Sequence, residues 1–222
     1  MFSTVIWDWN GTLLDDVDAC VETGNAMLEA RGMPALDTAR YREIFTFPVI
    51  DYYRRAGFTF ESETFEDVAA QYTSWYMERS RECRLFRDAI QALETLRGAG
   101  LTQILLTASH EDMLLAQLKA FDISRYFEAM VARKDALARG KAESARRLIR
   151  ERGIDPRQTA LIGDTEHDHD VADALGAACA LVPRGHHGRG RLESRLNAPG
   201  RVVIADNLIE AAGWVIGNRG AS

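Results

Sequence analysis

The sequence predicts an α/β fold, a parallel sheet layered between helices and interrupted after its first strand by a helical insertion. Two observations carry this reading. Short apolar runs recur along most of the chain with helical patterns between them, the alternation that builds a parallel sheet with helices on both faces. The stretch from residue 16 to about residue 85 breaks the alternation and is almost free of strand-like sequence.

The first run, Thr4-Val5-Ile6-Trp7-Asp8-Trp9, reads as a buried strand ended by the turn chemistry of Asn10-Gly11-Thr12. In the stretch that follows, residues 16–31, 49–56 and 64–81 read as helices, separated by Gly32-Met33-Pro34 and Gly57-Phe58. Tyr52, Tyr53, Phe65, Tyr72, Trp75 and Tyr76 stand at largely helical spacing, which marks the core of a small helical bundle. Phe45-Thr46-Phe47-Pro48 breaks this bundle and reads either as a loop closing over substrate or as an ordinary connection between helices. Later strands are expected at 103–107, 129–132, 159–163, 178–182 and 202–204, and helices at 88–99, 111–120, 142–152 and 168–175. Gly100, Gly153 and Gly176 follow three of these helices, where a left-handed cap is expected.

With 222 residues the chain suits one domain carrying a large insertion, or a medium domain with a small one, and 46% apolar content is enough for a sizeable core. A net charge of -6 argues against nonspecific nucleic-acid or anionic-membrane partners, while remaining compatible with a small anionic substrate bound in a local cationic pocket. Cys20, Cys83 and Cys179 form neither a metal-site spacing nor a disulfide framework, so a reducing cytoplasm is expected. The N-terminus lacks signal-peptide character, and no apolar run approaches membrane-spanning length.

In open α/β sheets, sites form where the carboxyl ends of the strands meet the loops. Asp8 ends the first strand, Thr107 the second and Gly163-Asp164 a later one; Asp168 lies one helical turn beyond Asp164, and Lys141 opens a helix after the strand around Val131. Alone, an aspartate at a strand end is often a turn or cap residue. Together, Asp8, Asp164 and Asp168 are three carboxylates that would repel one another unless a cation joined them. A hard divalent ion such as Mg²⁺ prefers such oxygen ligands and would also engage phosphate oxygens. Lys141 and Thr107 supply complementary donors, and the backbone N–H groups of Trp9, Asn10, Gly11 and Ala108 would complete a phosphate cradle, with Gly11 allowing close approach.

These stretches resemble, in order, the four motifs of the haloacid-dehalogenase-like superfamily. Asp8-Trp9-Asn10-Gly11-Thr12-Leu13 is similar to the first, Ile104-Leu105-Leu106-Thr107 to the second, Lys141 to the third, and Ala160-Leu161-Ile162-Gly163-Asp164-Thr165 continuing to Asp168 to the fourth. Val182-Pro183-Arg184-Gly185-His186-His187 resembles a late loop of the phosphoglycolate-phosphatase-like branch. The resemblance implies a Rossmann-like three-layer core, residues 1–14 and 86–222, and an α-helical cap, residues 15–85, hinged near Leu14 and Phe86. It implies that Asp8 attacks phosphorus to form an aspartyl-phosphate, and that Thr107 and Lys141 hold the transferring group. Mg²⁺ would be bound by Asp8, the Asn10 carbonyl and Asp164, with Asp168 in support. The substrate would be a small phosphorylated metabolite.

One position departs from the pattern. Phosphatases of this family usually carry a second aspartate two residues after the nucleophile, as general acid and base; here that position is Asn10. Loss of such a catalyst costs about 10²–10⁴-fold in rate. The leading expectation is a Mg²⁺-dependent phosphatase. The alternatives are phosphoryl transfer, other chemistry of the superfamily, or a phospho-ligand sensor that has lost turnover. His110 and His167 are candidates to replace the missing acid but read more readily as surface or cap residues. Arg184, His186 and His187 line the rim or simply occupy a Gly-rich loop. Asp15 and Asp16 read as helix caps, and Asp170 and Asp173 as a solvated helix face.

Overall fold

In the computed structural model, which describes residues 1–133, 140–197 and 201–218, the opening apolar run forms strand β1 (Thr4–Trp7), wholly buried. A turn leads to the two-residue strand β2 (Leu14–Asp15) and then to four helices, α1 (Val17–Glu29), α2 (Thr38–Ile44), α3 (Val49–Ala56) and α4 (Phe65–Arg79). Strand β3 (Arg84–Leu85) returns antiparallel to β2, with Leu14 opposite Leu85. The remaining elements are α5 (Ala89–Gly98), β4 (Thr102–His110), α6 (Glu111–Leu118), β5 (Ala129–Arg133), α7 (Lys141–Arg152), β6 (Thr159–Gly163), α8 (Glu166–Leu175), β7 (Ala178–Leu181), α9 (Arg189–Glu193), β8 (Val202–Ile204) and α10 (Leu208–Gly217). Three-residue or four-residue 3₁₀ turns occur at Ser80–Glu82, Ser124–Tyr126, Pro156–Gln158 and Ser194–Asn197.

Six strands form one sheet in the order β5-β4-β1-β6-β7-β8, every neighbouring pair parallel. The chain therefore builds outward from β1 to β5, crosses back, and builds outward the other way from β6. Because side chains alternate across a strand, each central strand feeds two cores. Val5 and Trp7, Leu105, Ala160 and Ile162, and Ala178 and Ala180 face one side, where α5, α6 and α10 supply Leu93, Leu96, Leu114, Leu118, Leu208 and Val215. Ile6, Ile104 and Leu106, Leu161, and Cys179 and Leu181 face the other, against Ala145, Leu148 and Ile149 of α7 and Val171 of α8. This is the three-layer, Rossmann-like α/β arrangement expected from the alternation of strands and helices. Among the described residues no helix is long and apolar enough to cross a membrane.

Helices α1–α4 have a core of their own, centred on Met27, Leu28, Tyr41, Tyr52, Tyr53, Val68 and Tyr76 and reaching Met113 of α6. Tyr52, Tyr53 and Tyr76 are fully buried there, while Phe65, Tyr72 and Trp75 pack at its margin. Thr64 and Asp67 form a reciprocal capping box at the start of α4. Helix α2 has no counterpart in the sequence reading, because only Tyr41 and Ile44 of its seven residues are buried and too little apolar periodicity remains. The β2–β3 ribbon is likewise too short for a pattern to show. Strand β4 runs to His110, past the expected end at Thr107, with its register to β5 shifting between Leu106 and His110. Gly153 and Gly176 close α7 and α8 in left-handed conformations, as expected. The last four residues of the expected core, 219–222, lie outside the described residues.

The two-sided core makes a stability prediction. Leu161 is 0% exposed between sheet and helices, whereas Leu115 on α6 is 45% exposed. Leu161→Ala is expected to lower the unfolding free energy by about 2–5 kcal/mol, and Leu115→Ala by less than about 0.5 kcal/mol. Urea unfolding of the two variants checks this; equal effects would contradict the layer assignment.

Candidate active site

Register brings the chemistry to one edge. Trp7 lies level with Leu105 on one side and Ile162 on the other, so Asp8 and Asp164 emerge just past the carboxyl ends of β1 and β6, with Thr107 beside them in the last part of β4. Lys141 arrives as the first residue of α7, and Asp168 from the first turn of α8. Asp8, Asp164, Asp168 and Lys141 are all buried. The Lys141 Nζ donates to Asp8 Oδ1 and to Asp168 Oδ1, each at 2.5 Å, and so bridges two carboxylates. Asp168 turns its other oxygen to the Thr165 hydroxyl at 2.7 Å and to the N–H groups of Asp164 and Thr165, closing the capping box of α8. Asp164 accepts from the Thr12 hydroxyl at 2.9 Å and the His186 N–H at 2.6 Å.

Burial dominates the electrostatics of this cluster. Burial, reinforced by Asp168, pushes Asp8 up to about 8 against the pull of Lys141. Burial pushes Asp164 up to about 6, with His186 opposing and Asp168 assisting. Burial also acts to raise Asp168, but Lys141 and the Thr165 hydroxyl outweigh it and hold it below the usual carboxylate range. The Lys141 ammonium is held protonated by Asp168 and Asp8, although burial alone would lower it. Asp8, Asp164 and Asp168 each offer an oxygen within 4.8 Å of the others, all buried.

A second network surrounds Asn10. Its amide Nδ2 donates to Asp16 Oδ2 and to the Tyr76 hydroxyl, both at 2.8 Å, while Oδ1 accepts from Ser109 at 2.7 Å and, more distantly, from Thr107 at 3.5 Å. Tyr76 in turn donates to Asp16 Oδ2 at 2.6 Å. Asp16 Oδ1 accepts from the Gly11 N–H at 2.8 Å and lies 3.5 Å from His186 Nε2. Burial acts to raise Asp16, but His186, Tyr76 and Asn10 outweigh it and hold it below its usual range. Burial acts to lower His186, yet Asp16, then Asp164 and Asp8, lift it to about 9.

Three expectations are corrected by this geometry. Asp16 occupies the N-cap position of α1 but makes no side-chain cap bond; its carboxylate turns back to Gly11, Asn10 and Tyr76 instead. The Gly11 N–H, expected in a phosphate cradle, is taken up by Asp16 and by the Leu14 carbonyl at 2.9 Å. What Gly11 contributes is close approach: at φ 72° a Cβ there would stand 2.4 Å from Asp164 Oδ2 and 2.6 Å from the His186 ring. His186 is no rim residue but is buried beside Asp16.

The other singled-out residues are placed as follows. Ala108 is exposed, one residue past the buried Thr107. His110 caps α6 through the Asp112 N–H, and the His167 ring stacks on Phe47 with centroids 4.5 Å apart. Arg184 points away, to Asp88 at 2.7 Å and over the Phe86 ring. Asp170 and Asp173 are exposed. Asp16, Tyr76 and Ser109 belong to the network and were not singled out as site residues; a buried tyrosine and an aspartate before a helix have ordinary structural readings, and only their meeting at Asn10 distinguishes them.

The helical insertion closes over this edge largely through main-chain contacts. Arg42 of α2 donates to the carbonyls of Arg184 and Gly185, at 2.8 and 2.9 Å. From the other side, Arg191 Nη1 at 2.5 Å and the His187 ring at 3.0 Å meet the Phe45 carbonyl. Arg191 is itself held by Glu166 at 2.5 Å. The Tyr41 hydroxyl meets His186 Nδ1 at 2.9 Å.

Comparison with known proteins agrees with this architecture. Residues 5–182 match the family described as haloacid dehalogenase-like hydrolase. Phosphoglycolate phosphatase 1 of Pseudomonas aeruginosa is 27% identical over 215 residues, covering 92% of this chain and 76% of that protein. The phosphoglycolate phosphatase of Mesorhizobium japonicum is 26% identical over 232 residues, covering 94% of this chain and 97% of that protein. Among solved structures, a haloacid dehalogenase-like family hydrolase from Streptococcus pneumoniae superimposes with a TM-score of 0.81 at 20% identity, over 96% of this chain and 98% of that one. With the family model spanning most of the sequence and the same fold recovered in three dimensions, the chain belongs to the haloacid dehalogenase-like hydrolases.

Proposed function

We propose that this hydrolase is a Mg²⁺-dependent phosphatase of small phosphate monoesters, with Asp8 as nucleophile. The observation that supports this most directly is the buried meeting of Asp8, Asp164, Asp168 and Lys141 at the carboxyl edge of the sheet. The relatives named as phosphoglycolate phosphatases favour a short, anionic alkyl phosphate as substrate. The donor set fits the ion: three carboxylates offering oxygen only suit a hard cation, and burial that raises Asp8 and Asp164 would be relieved by one. Asp8, Asp164 and the Asn10 carbonyl would hold it, with Asp168 in support. When bound, the ion supplies positive charge that offsets the carboxylates and polarises phosphoryl oxygens.

In the proposed first step an Asp8 oxygen attacks phosphorus and the bond to the leaving oxygen breaks, giving an aspartyl-phosphate. Lys141 and Thr107 steady the oxygens of the transferring group. The insertion, acting as a cap, excludes bulk water while this happens. Water then attacks phosphorus, restoring Asp8 and releasing phosphate. No side-chain proton is available from Asn10 at either step. Alkyl phosphates, whose leaving oxygens are strongly basic, are therefore expected to react more slowly than aryl or acyl phosphates. The same residue favours a second reading, a phospho-ligand sensor with little turnover.

Two measurements test these readings. Asp8→Asn is expected to reduce hydrolysis of p-nitrophenyl phosphate to background with the circular-dichroism spectrum unchanged, and a chelator is expected to abolish native activity until Mg²⁺ is restored. Full activity after chelation would overturn the metal assignment, and binding of phosphorylated ligands without any turnover would favour the sensor.

The Asn10 network sets a further expectation. Asn10→Asp places a carboxylate where an amide now donates to Asp16 at 2.8 Å. That single change is expected to cost about 1–3 kcal/mol of stability through a lost donor and like-charge contact. Exchanging the two groups, Asn10→Asp with Asp16→Asn, restores one donor and one acceptor across the same contact. The double variant is expected to recover most of the stability and to raise kcat/KM for alkyl phosphates by about 10-fold or more. A double variant no faster than the native protein on alkyl phosphates would show that position 10 does not limit turnover.

A further inference from the structure

Outside the acidic cluster, the described residues bring together one other buried set of ligating atoms. Asp16 and Cys20 stand one turn apart at the start of α1, so both face the same side. His186 reaches them from the loop after β7. The carboxylate, thiol and imidazole atoms all lie within 4.8 Å of one another, and all three residues are buried. Asp16 Oδ2 is 3.5 Å from Cys20 Sγ, and Asp16 Oδ1 is 3.5 Å from His186 Nε2.

Those separations are informative. A charge-assisted N–H···O contact closes to about 2.7–2.9 Å when the pair meets directly. Ligands around a tetrahedral ion at metal–ligand distances of about 2.0–2.3 Å stand roughly 3.3–3.7 Å apart. The Asp16–His186 edge falls in the second range, and Cys20 Sγ stands at thiol hydrogen-bond distance from the other Asp16 oxygen. The supporting contacts also resemble those of a metal centre. The Tyr41 hydroxyl holds His186 Nδ1 at 2.9 Å, which leaves Nε2 turned to Asp16, and a ligating histidine is ordinarily fixed through its other nitrogen in this way. Asp16 is oriented by the Gly11 N–H, the Asn10 amide and the Tyr76 hydroxyl.

We propose that Asp16, Cys20 and His186 form a second metal site that takes a thiophilic divalent ion such as Zn²⁺ and fastens the helical insertion to the core. The donor set of one nitrogen, one sulfur and one oxygen discriminates against Mg²⁺, which takes oxygen ligands, and suits Zn²⁺ or Co²⁺. The site shares no side chain with the acidic cluster, although the His186 N–H donates to Asp164 at 2.6 Å. Its ligands come from both sides of the closure, Asp16 and Cys20 from the start of α1 and His186 from the core loop. An ion bound there opposes opening.

Co²⁺ is the probe, added to the full chain with Mg²⁺ in excess so that the oxygen-only cluster is filled. The expected result is an intense near-ultraviolet thiolate-to-cobalt absorption that saturates at an equimolar ratio. It is lost in Cys20→Ser and kept in Cys83→Ser, and equimolar Zn²⁺ displaces it. The hydroxyl is close in size to the thiol, and a native circular-dichroism spectrum confirms that Cys20→Ser is folded. Absence of the absorption from the native protein overturns the proposal. So does its persistence in Cys20→Ser, or its loss in Cys83→Ser, since either assigns the thiolate elsewhere.

Discussion

The site depends on one buried cation, Lys141, placed between Asp8 and Asp168. Removing carboxylates from water is costly, by several kcal/mol for each ion even after the protein relaxes. The parallel sheet nevertheless brings Asp8 and Asp164 to adjacent strand ends, and the turn into α8 adds Asp168. Lys141 makes this arrangement tolerable by donating to two of the three at 2.5 Å. The crossover from β5 back to β6 passes through α7 and delivers that lysine at the helix start. Fold and charge balance are thus one constraint: the topology that assembles the negative charge also supplies its counterweight. Burial still displaces Asp8 and Asp164 upward, and the three carboxylates together form a group that could hold a metal ion.

Beside this centre an amide and a carboxylate are paired. Position 10 carries an amide, and Asp16, six residues on, carries a carboxylate that accepts from it. Tyr76 and His186 complete the arrangement, one from α4 and one from the core loop. The result is a polar network satisfied on every side and shared between insertion and core. Such a network is specific because each member is expensive to leave unpaired. It also holds the Asn10 amide in one orientation, Nδ2 toward Asp16 and Oδ1 toward Ser109.

Much of the fold was legible in the sequence, because the sheet is buried on both faces and its strands read as apolar runs. The residues expected at the strand ends are placed together for the same reason, since the carboxyl edge of a parallel sheet is fixed once the strands are known. What escaped notice lacked a periodic signal or had an ordinary alternative. Helix α2 buries only two residues, and the β2–β3 ribbon has two residues per strand. Asp16 preceded a helix and so read as a cap, and His186 sat in a Gly-rich loop. Both were drawn into the site by contacts across more than a hundred residues or between an insertion helix and a turn, which local patterning does not encode. His110 and His167, by contrast, stood close to the motifs in sequence and yet perform local tasks, capping a helix and stacking on Phe47.

The main-chain character of the closure has an evolutionary consequence. Arg42 grips the carbonyls of Arg184 and Gly185, and Arg191 and His187 grip the carbonyl of Phe45. A carbonyl is present whatever side chain a residue bears. The clasp at residue 45 can therefore outlast a change of side chain there, whereas position 185 is confined to glycine, since a Cβ would stand 2.1 Å from Asp164 Oδ2 and 2.4 Å from the Gly11 carbonyl oxygen. Selection can reshape the side chains that the insertion turns toward the core without first reinventing how the two are fastened.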